Sequence, residues 1–189
     1  MNIISTSIAG VWIIEPKIFN DPRGYFFESY NQEEFNEKIG RIDFVQDNES
    51  FSSYGVLRGL HFQKPPFAQS KLVRVIQGKV LDVAVDIRYG SPTFGKYVSV
   101  ELSGENHRQF FIPRGFAHGF CVLSETALFQ YKCDNLYAPQ SEGAIAWNDP
   151  DLNIDWKIPV DKVILSDKDR HHAFLKESKA VFDYNTNLY

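Results

Sequence analysis

The run from Gly55 to Gln63 sets Arg58 and His61 inside an otherwise apolar stretch. Histidine gains and loses a proton near neutral pH, so His61 has the chemistry of a general base. A lone histidine in an apolar strand serves equally as a hydrogen-bonded core residue, and this run alone leaves both readings open. Strict strand alternation sends Arg58 and His61 to opposite faces. Gly59, between them, is where a bulge would reset the register.

Four further segments carry reactive side chains. In Gln69-Ser70-Lys71-Leu72-Val73, Lys71 opens an apolar strand. Its ammonium needs an anionic partner if it points inward, and none at a solvated strand end. In Ile112-Pro113-Arg114-Gly115-Phe116-Ala117-His118, a Pro-x-Gly turn sets His118 at the start of a strand. That layout is similar to the second motif of cupins. Their first motif needs an HxH pair and a downstream Glu to hold a metal. Here the corresponding run is His61-Phe62-Gln63. Too few donors remain for a three- or four-ligand site, so the expected pocket holds no metal. A metal-dependent cupin oxygenase is disfavoured on the same ground. Alternation over Ala127–Lys132 puts Tyr131 on the face of Phe129, facing inward, where its hydroxyl needs a partner. Ser166 and Asp169 have capping-box-like spacing, which predicts a helix start. An aspartate can also orient a distant histidine, and both readings of Asp169 stay open.

These residues need a scaffold of strands. Leu72–Ile76, Lys79–Ile87, Lys96–Leu102, Gln109–Ile112, Gly119–Leu123 and Ala127–Lys132 read as strands, separated by Gly, Pro and Ser turns. Leu81, Val83, Val85 and Ile87 share one face, with Asp82 and Asp86 on the other. Asn31–Ile39 reads as a helix stopped by Gly40, and Asp167–Lys176 as a second short helix. Many short strands at regular spacing, with 16 Phe and 9 Tyr, predict a mainly β sandwich or barrel. The 189 residues fit a single domain.

Net charge is −4, which offers no basic surface to nucleic acid or to an anionic membrane. No stretch approaches the roughly 20 apolar residues of a membrane span. The opening residues carry no positive region followed by a long apolar run, so no leader is expected. Cys121 and Cys133 form no zinc pattern and no CxxC pair. Two reduced thiols in a cytoplasmic protein are expected.

Taken in order, the segments GVLRGLHFQ, QSKLVRVIQGKVLDVAVDIR, IPRGFAHGF, YKCDNLYAP, WNDPDLNIDW and LSDKD resemble the dTDP-4-dehydrorhamnose 3,5-epimerase family. The early FNDPRGYFFESY segment fits as well, and the likeness runs over roughly residues 3 to 170. The resemblance implies a cupin-type jelly roll that inverts C3 and C5 of dTDP-4-keto-6-deoxy-D-glucose without a cofactor or metal. It implies His61 as general base, Asp169 as its partner (Asp167 less so), Lys71 as the stabiliser of charge on the C4 oxygen, and Tyr131 as proton donor. It further implies Arg23, Glu28, Gln46, Asn48 and Arg58 as nucleotide and diphosphate contacts. Phe19 and Tyr137 become aromatic contacts near base and sugar, and His118 a pocket histidine. A homodimer exchanging N-terminal strands is implied in the same way. The chain departs from the family pattern at Glu49, where His is usual, at Ser70, where Gly is usual, and around Gln140 and Ala144–Ala146. None of these touches a proposed acid or base.

The residue types suit that chemistry. A ketone acidifies the hydrogens on both neighbouring carbons. Loss of one places charge on the ketone oxygen, where a fixed cation is worth several kcal/mol. Inversion then needs an acid across the pocket from the base. A single-site epimerase of the same family, or a cupin that binds a sugar nucleotide without catalysis, would share parts of this set.

Overall fold

Two antiparallel sheets face one another and bury residues on both of their faces. The computed structural model describes residues 1–179 and 181–189. The N-terminal strands are β1 (Asn2–Ser5), β2 (Trp12–Glu15), β3 (Phe19–Asp21) and β4 (Gly24–Phe26), followed by helix α1 (Gln32–Lys38). Then come β5 (Gln46–Ser53), β6 (Leu57–Gln63), β7 (Lys71–Gln77), β8 (Lys79–Asp86) and β9 (Arg88–Tyr89). The chain continues through β10 (Tyr97–Ser103), β11 (Gln109–Ile112), β12 (Phe116–Val122) and β13 (Thr126–Cys133). Two short strands close it, β14 (Glu142–Ala144) and β15 (Phe182–Asp183). No helix among the described residues is long and apolar enough to cross a membrane.

One sheet has six strands in the order β1-β2-β11-β7-β13-β5, and the other has five in the order β10-β8-β12-β6-β14. The expected cupin-type jelly roll is this pair of sheets. β3 and β4 form a hairpin of their own, and β15 lies parallel to β9. Between the sheets pack Val73, Phe110, Phe120 and Phe129. The outer face of the five-stranded sheet buries Leu81, Val83 and Val85 against Trp156 and Phe182. The outer face of the six-stranded sheet buries Leu72 and Phe111 under Phe35 of α1. Leu81, Val83, Val85 and Ile87 do share a face, as their alternation predicts. The opposite face is interior too, so Asp82 and Asp86 are also fully buried.

Helix α1 is two residues shorter than its sequence pattern because both ends are caps. Asn31 accepts a hydrogen bond from Glu34 N at 3.0 Å, and Ile39 N closes onto Phe35 O. The expected C-terminal helix over Asp167–Lys176 is absent; only a 3-10 turn, Leu175–Glu177, forms there. Ser166 and Asp169 do bond each other, with Ser166 Oγ donating to Oδ2 at 2.8 Å. The rest of the segment is then held by tertiary partners instead of its own turns. Ala146 N donates to Ala173 O at 3.0 Å, and Leu175 N to Asp149 Oδ2 at 2.6 Å.

The irregularity that matters most lies in β6. His118 of β12 pairs with His61, while Phe120 pairs with Arg58, so the register slips between them. Gly59 sits in the slip with φ of +140°. A Cβ there would lie 2.5 Å from Gly119 Cα and 3.0 Å from His118 O. Two glycines thus let the strands cross closely at the bulge. Gly59→Ala is expected to lower unfolding free energy by about 2–4 kcal/mol, the sum of backbone strain and overpacking. Urea unfolding checks this. Gly24→Ala is the control: its φ is +129° but nothing lies within 4 Å of its Cβ position, so it should show the backbone part alone.

Candidate active site

The bulge gives β6 a local geometry that alternation forbids. Arg58 and His61 both line one cavity of about 780 Å³ between the sheets. This lies within the usual range for a small-molecule site. The five-stranded sheet contributes His61 and Arg58 from β6 and His118 from β12. The six-stranded sheet contributes Lys71 from β7, Tyr131 from β13 and Asn48 from β5. The His61 imidazole and the Tyr131 phenol therefore stand on opposing walls. Ser166, Asp169 and His172 enter from the segment after β14.

His61 Nε2 lies 2.5 Å from Asp169 Oδ1. The His61 side chain is 34% exposed, while that of Asp169 is 5% exposed. The carboxylate is sheltered and the ring faces the cavity. Burial pushes the Asp169 carboxyl up, but the hydrogen bond and charge of His61, with Ser166 and His172, hold it below its usual value. It is therefore an anion beside the ring, which fixes the ring's tautomer and orientation. With Nε2 engaged, Nδ1 is the nitrogen left to take a proton from a ligand. Asp167, the other acidic residue of that segment, has a fully exposed side chain and lies 4.0 Å from Arg170 instead.

A second His–Asp pair lies deeper. His118 Nε2 is 2.9 Å from Asp82 Oδ1 and 3.1 Å from Oδ2. Burial pushes Asp82 up and His118 down, and each group's attraction for the other opposes this only in part. Lys71 is half-buried by its surface, yet its ammonium is walled in by protein. That burial pushes its pKa below the usual lysine range, with Cys133, Asp82 and Glu142 pulling the other way. Its Nζ sits 5.9 Å from the centroid of the Tyr131 ring. Burial, with Cys133 assisting, pushes the Tyr131 phenol up, which keeps it protonated at neutral pH. Behind it Phe129 stacks on Phe120 at 4.1 Å, a rigid apolar floor.

The remaining expected site residues divide in two. Gln46 donates to Asn48 Oδ1 at 2.9 Å and accepts from Tyr137 N at 2.9 Å, so Gln46 and Tyr137 stand at the rim beside Asn48. Arg58 donates to Ser52 Oγ through both Nε and Nη2 at 3.3 Å. Phe19, Arg23 and Glu28 do not line the cavity of their own chain. Phe19 and Arg23 lie exposed on the β3–β4 hairpin, where Arg23 bonds Asp21. Exposed Glu28 accepts from Asn31.

Sequence reasoning missed Asp82, Ser50, Ser52 and His172 as members of this site. Asp82 carried a signal: an acidic residue in the middle of an apolar strand needs a buried partner. Ser50 lines the cavity with a buried hydroxyl that has no partner among the described residues. Ring nitrogens of His61 and His172 and a carboxylate oxygen of Asp169 lie within 4.8 Å of one another. A shared cation at about 2.0–2.2 Å from each would hold its ligand atoms farther apart than the 2.5 Å between Nε2 and Oδ1. The geometry is that of a hydrogen-bonded group.

Both cysteines are free and buried. Burial pushes Cys121 up to about 12 and Cys133 up to about 11. At pH 7.5 both should stay as thiols, sheltered and unreactive. The expected outcome is negligible alkylation by iodoacetamide in native protein, and labelling of both cysteines after denaturation, read by mass spectrometry.

Comparison with known proteins adds an independent line. The family model described as dTDP-4-dehydrorhamnose 3,5-epimerase matches residues 5–177. A dTDP-4-dehydrorhamnose 3,5-epimerase of Shigella flexneri is 59% identical over 170 residues, covering 89% of this chain and 93% of that protein. A crystal structure of dTDP-4-dehydrorhamnose 3,5-epimerase from Elizabethkingia anophelis superposes with a TM-score of 0.90 at 57% identity, over 94% of this chain and 97% of that one. The dTDP-6-deoxy-D-glucose-3,5-epimerase of Legionella pneumophila, in complex with dTDP-4-keto-L-rhamnose, superposes with a TM-score of 0.94 at 53% identity, over 98% and 99% of the two chains.

Proposed function

The chain belongs to the dTDP-4-dehydrorhamnose 3,5-epimerase family, and from that premise we propose that it inverts C3 and C5 of dTDP-4-keto-6-deoxy-D-glucose, giving dTDP-4-dehydro-L-rhamnose. The observation that carries this reading is the facing of His61 and Tyr131 across one cavity, with Lys71 beside the phenol.

His61 Nδ1 takes the hydrogen on a carbon next to the C4 ketone, and Asp169 stabilises the resulting imidazolium. The electron pair left on carbon moves to the C4 oxygen, forming an enolate. Lys71 stabilises that charge, and its depressed pKa lets it share a proton with the oxygen as charge builds. Tyr131 returns a proton to carbon from the opposite wall, and the configuration inverts. Base and acid are restored when His61 gives up its proton and Tyr131 regains one. No change of oxidation state occurs, so the chain's own residues supply every step.

Arg58 is the natural partner of a diphosphate, because a guanidinium grips phosphate oxygens through paired N–H donors. Gln46, Asn48 and His118 would hold the sugar and nucleotide from the other walls, with Tyr137 at the rim. Phe19, Arg23 and Glu28 are out of reach within one chain. We propose that they complete the cavity of a partner in a homodimer, as the family resemblance implies. Two features support this. The hairpin leaves Phe26 71% exposed, and the edge strand β5 leaves Phe51 65% exposed. Unpaired edges and exposed aromatics are costly unless covered. A cytoplasmic setting fits the two free thiols.

The deciding experiment is incubation with dTDP-4-keto-6-deoxy-D-glucose in heavy water, followed by NMR. Deuterium at both C3 and C5 is expected. Deuterium at one carbon would make this a single-site epimerase, and at neither would end the enzymatic reading. His61→Ala is expected to cut kcat by about 10²–10⁴-fold while dTDP still binds. A rate within tenfold of the parent would remove His61 as the base. Arg58→Ala is expected to weaken dTDP by about 1.5–3 kcal/mol in a calorimetric titration, the range of a charge-assisted hydrogen bond. Unchanged affinity would count against the assignment.

A further inference from the structure

We propose that His172 is a positioning residue that, by donating a hydrogen bond to the oxygen of Asp169 that His61 also uses, sets the pH at which His61 becomes an active base. This rests on the epimerase reading above. His172 Nε2 lies 3.3 Å from Asp169 Oδ1, the atom 2.5 Å from His61 Nε2. Ser166 Oγ donates to Oδ2 at 2.8 Å. The carboxylate is thus gripped from three sides, which stops it rotating away from His61. The rings of His61 and His172 stand nearly perpendicular, at 89°, with centroids 6.0 Å apart.

The chain fixes His172 in place. His171 N donates to Lys168 O, and the residue after His172 is tied through Ala173 O to Ala146 N at 3.0 Å. Both imidazoles must present Nε2–H to the carboxylate, since a carboxylate only accepts. The 3.3 Å contact is at the long end for a hydrogen bond. His172 is therefore a weak second donor that draws negative charge away from His61. That competition for one oxygen makes the His61 imidazolium less favourable and extends the base's working range to lower pH.

Other charged groups share the cavity. Arg58 enters from β6, Lys71 from β7, Glu49 from β5 and Glu142 from β14. Lys168 lies on the same segment and reaches Glu142 at 3.4 Å. Asp167 and Arg170 of that segment pair with each other. His118 is held by Asp82. All of these stay in place when His172 alone is changed, so a shift between variants reports His172.

The test is the pH profile of kcat/KM for the parent, His172→Ala and His172→Gln. In His172→Ala the acid limb should move up by about 0.5–1 unit, the size of one neutral hydrogen bond to the carboxylate. KM should stay within about twofold. Glutamine keeps an N–H donor, so His172→Gln should move the limb less than half as far. An unmoved limb in His172→Ala, an equal shift in both variants, or a large KM change with a fixed limb would each overturn the proposal. Should His172→Ala fail to fold, nitrogen-15 NMR of the parent decides. A neutral His172 protonated on Nε2 supports the proposal, and one protonated on Nδ1 overturns it. The heavy-water experiment on the parent keeps the two readings apart. Exchange there with no effect at His172 would end this inference alone.

Discussion

The close crossing of β6 and β12 at Gly59 and Gly119 is the constraint on which the site depends. A regular strand would turn Arg58 and His61 to opposite faces, one into the cavity and one into the packing behind the sheet. The slipped register adds one residue to β6 and turns both side chains inward. That manoeuvre needs backbones nearer than any Cβ allows, and two glycines supply the space. The proposed base and the arginine of the proposed diphosphate contact owe their common cavity to residues that carry no chemistry.

Electrostatics inside the cavity follow a second rule. The two histidines His61 and His118 are each set against a carboxylate that fixes the ring's orientation. Asp169 is anionic because His61, Ser166 and His172 satisfy it. Asp82 and His118 are buried so deeply that both lean towards their neutral forms. Lys71 has no ion-pair partner among the described residues, and burial weakens its hold on its proton. An ammonium in that condition gains most from a ligand that develops negative charge beside it. A protein of net charge −4 can thus still favour an anionic transition state, through local arrangement and not through its overall field.

Much of this was legible in the sequence, unevenly. Strands with one-residue alternation stood out, such as the expected Lys96–Leu102, which the structure places one residue on, at Tyr97–Ser103. Gln109–Ile112 was bounded correctly by its turns. His61, Lys71, Tyr131 and Asp169 were singled out by type and neighbourhood with a structural reading open for each; the family resemblance chose between the readings, and all four line the cavity. A bulge at Gly59 was one reading that its place between Arg58 and His61 left open, and the register does slip there. The Asp167–Lys176 helix failed because capping-box spacing describes a local preference: Ser166 does accept from Asp169 N, but Asp169 Oδ1 is turned to His61, far away in sequence, and tertiary partners hold the residues that follow. Asp82 escaped because alternation tells which residues share a face but not whether the second face is also interior. His172 escaped because its role exists only through Asp169, and nothing in a single chain of letters shows which carboxylate two histidines will share.

The division of side chains between the two sheets bears on how the proposed base and acid would serve two carbons. In a D-gluco chair the hydrogens on C3 and C5 are both axial and lie on the same face of the ring. A sugar lying between the sheets with that face towards β6 would offer both hydrogens to the wall that carries His61. The opposite face would look towards β13 and Tyr131. Packed sheets stand about 10 Å apart, room for one ring and the side chains that touch it. Both carbons flank the same C4 oxygen, so Lys71 can serve both enolates without moving. A small in-plane shift of the sugar is then enough to exchange one carbon for the other before the base. Had base and phenol come from the same sheet, protons would leave and return on one face, and the configuration would be retained.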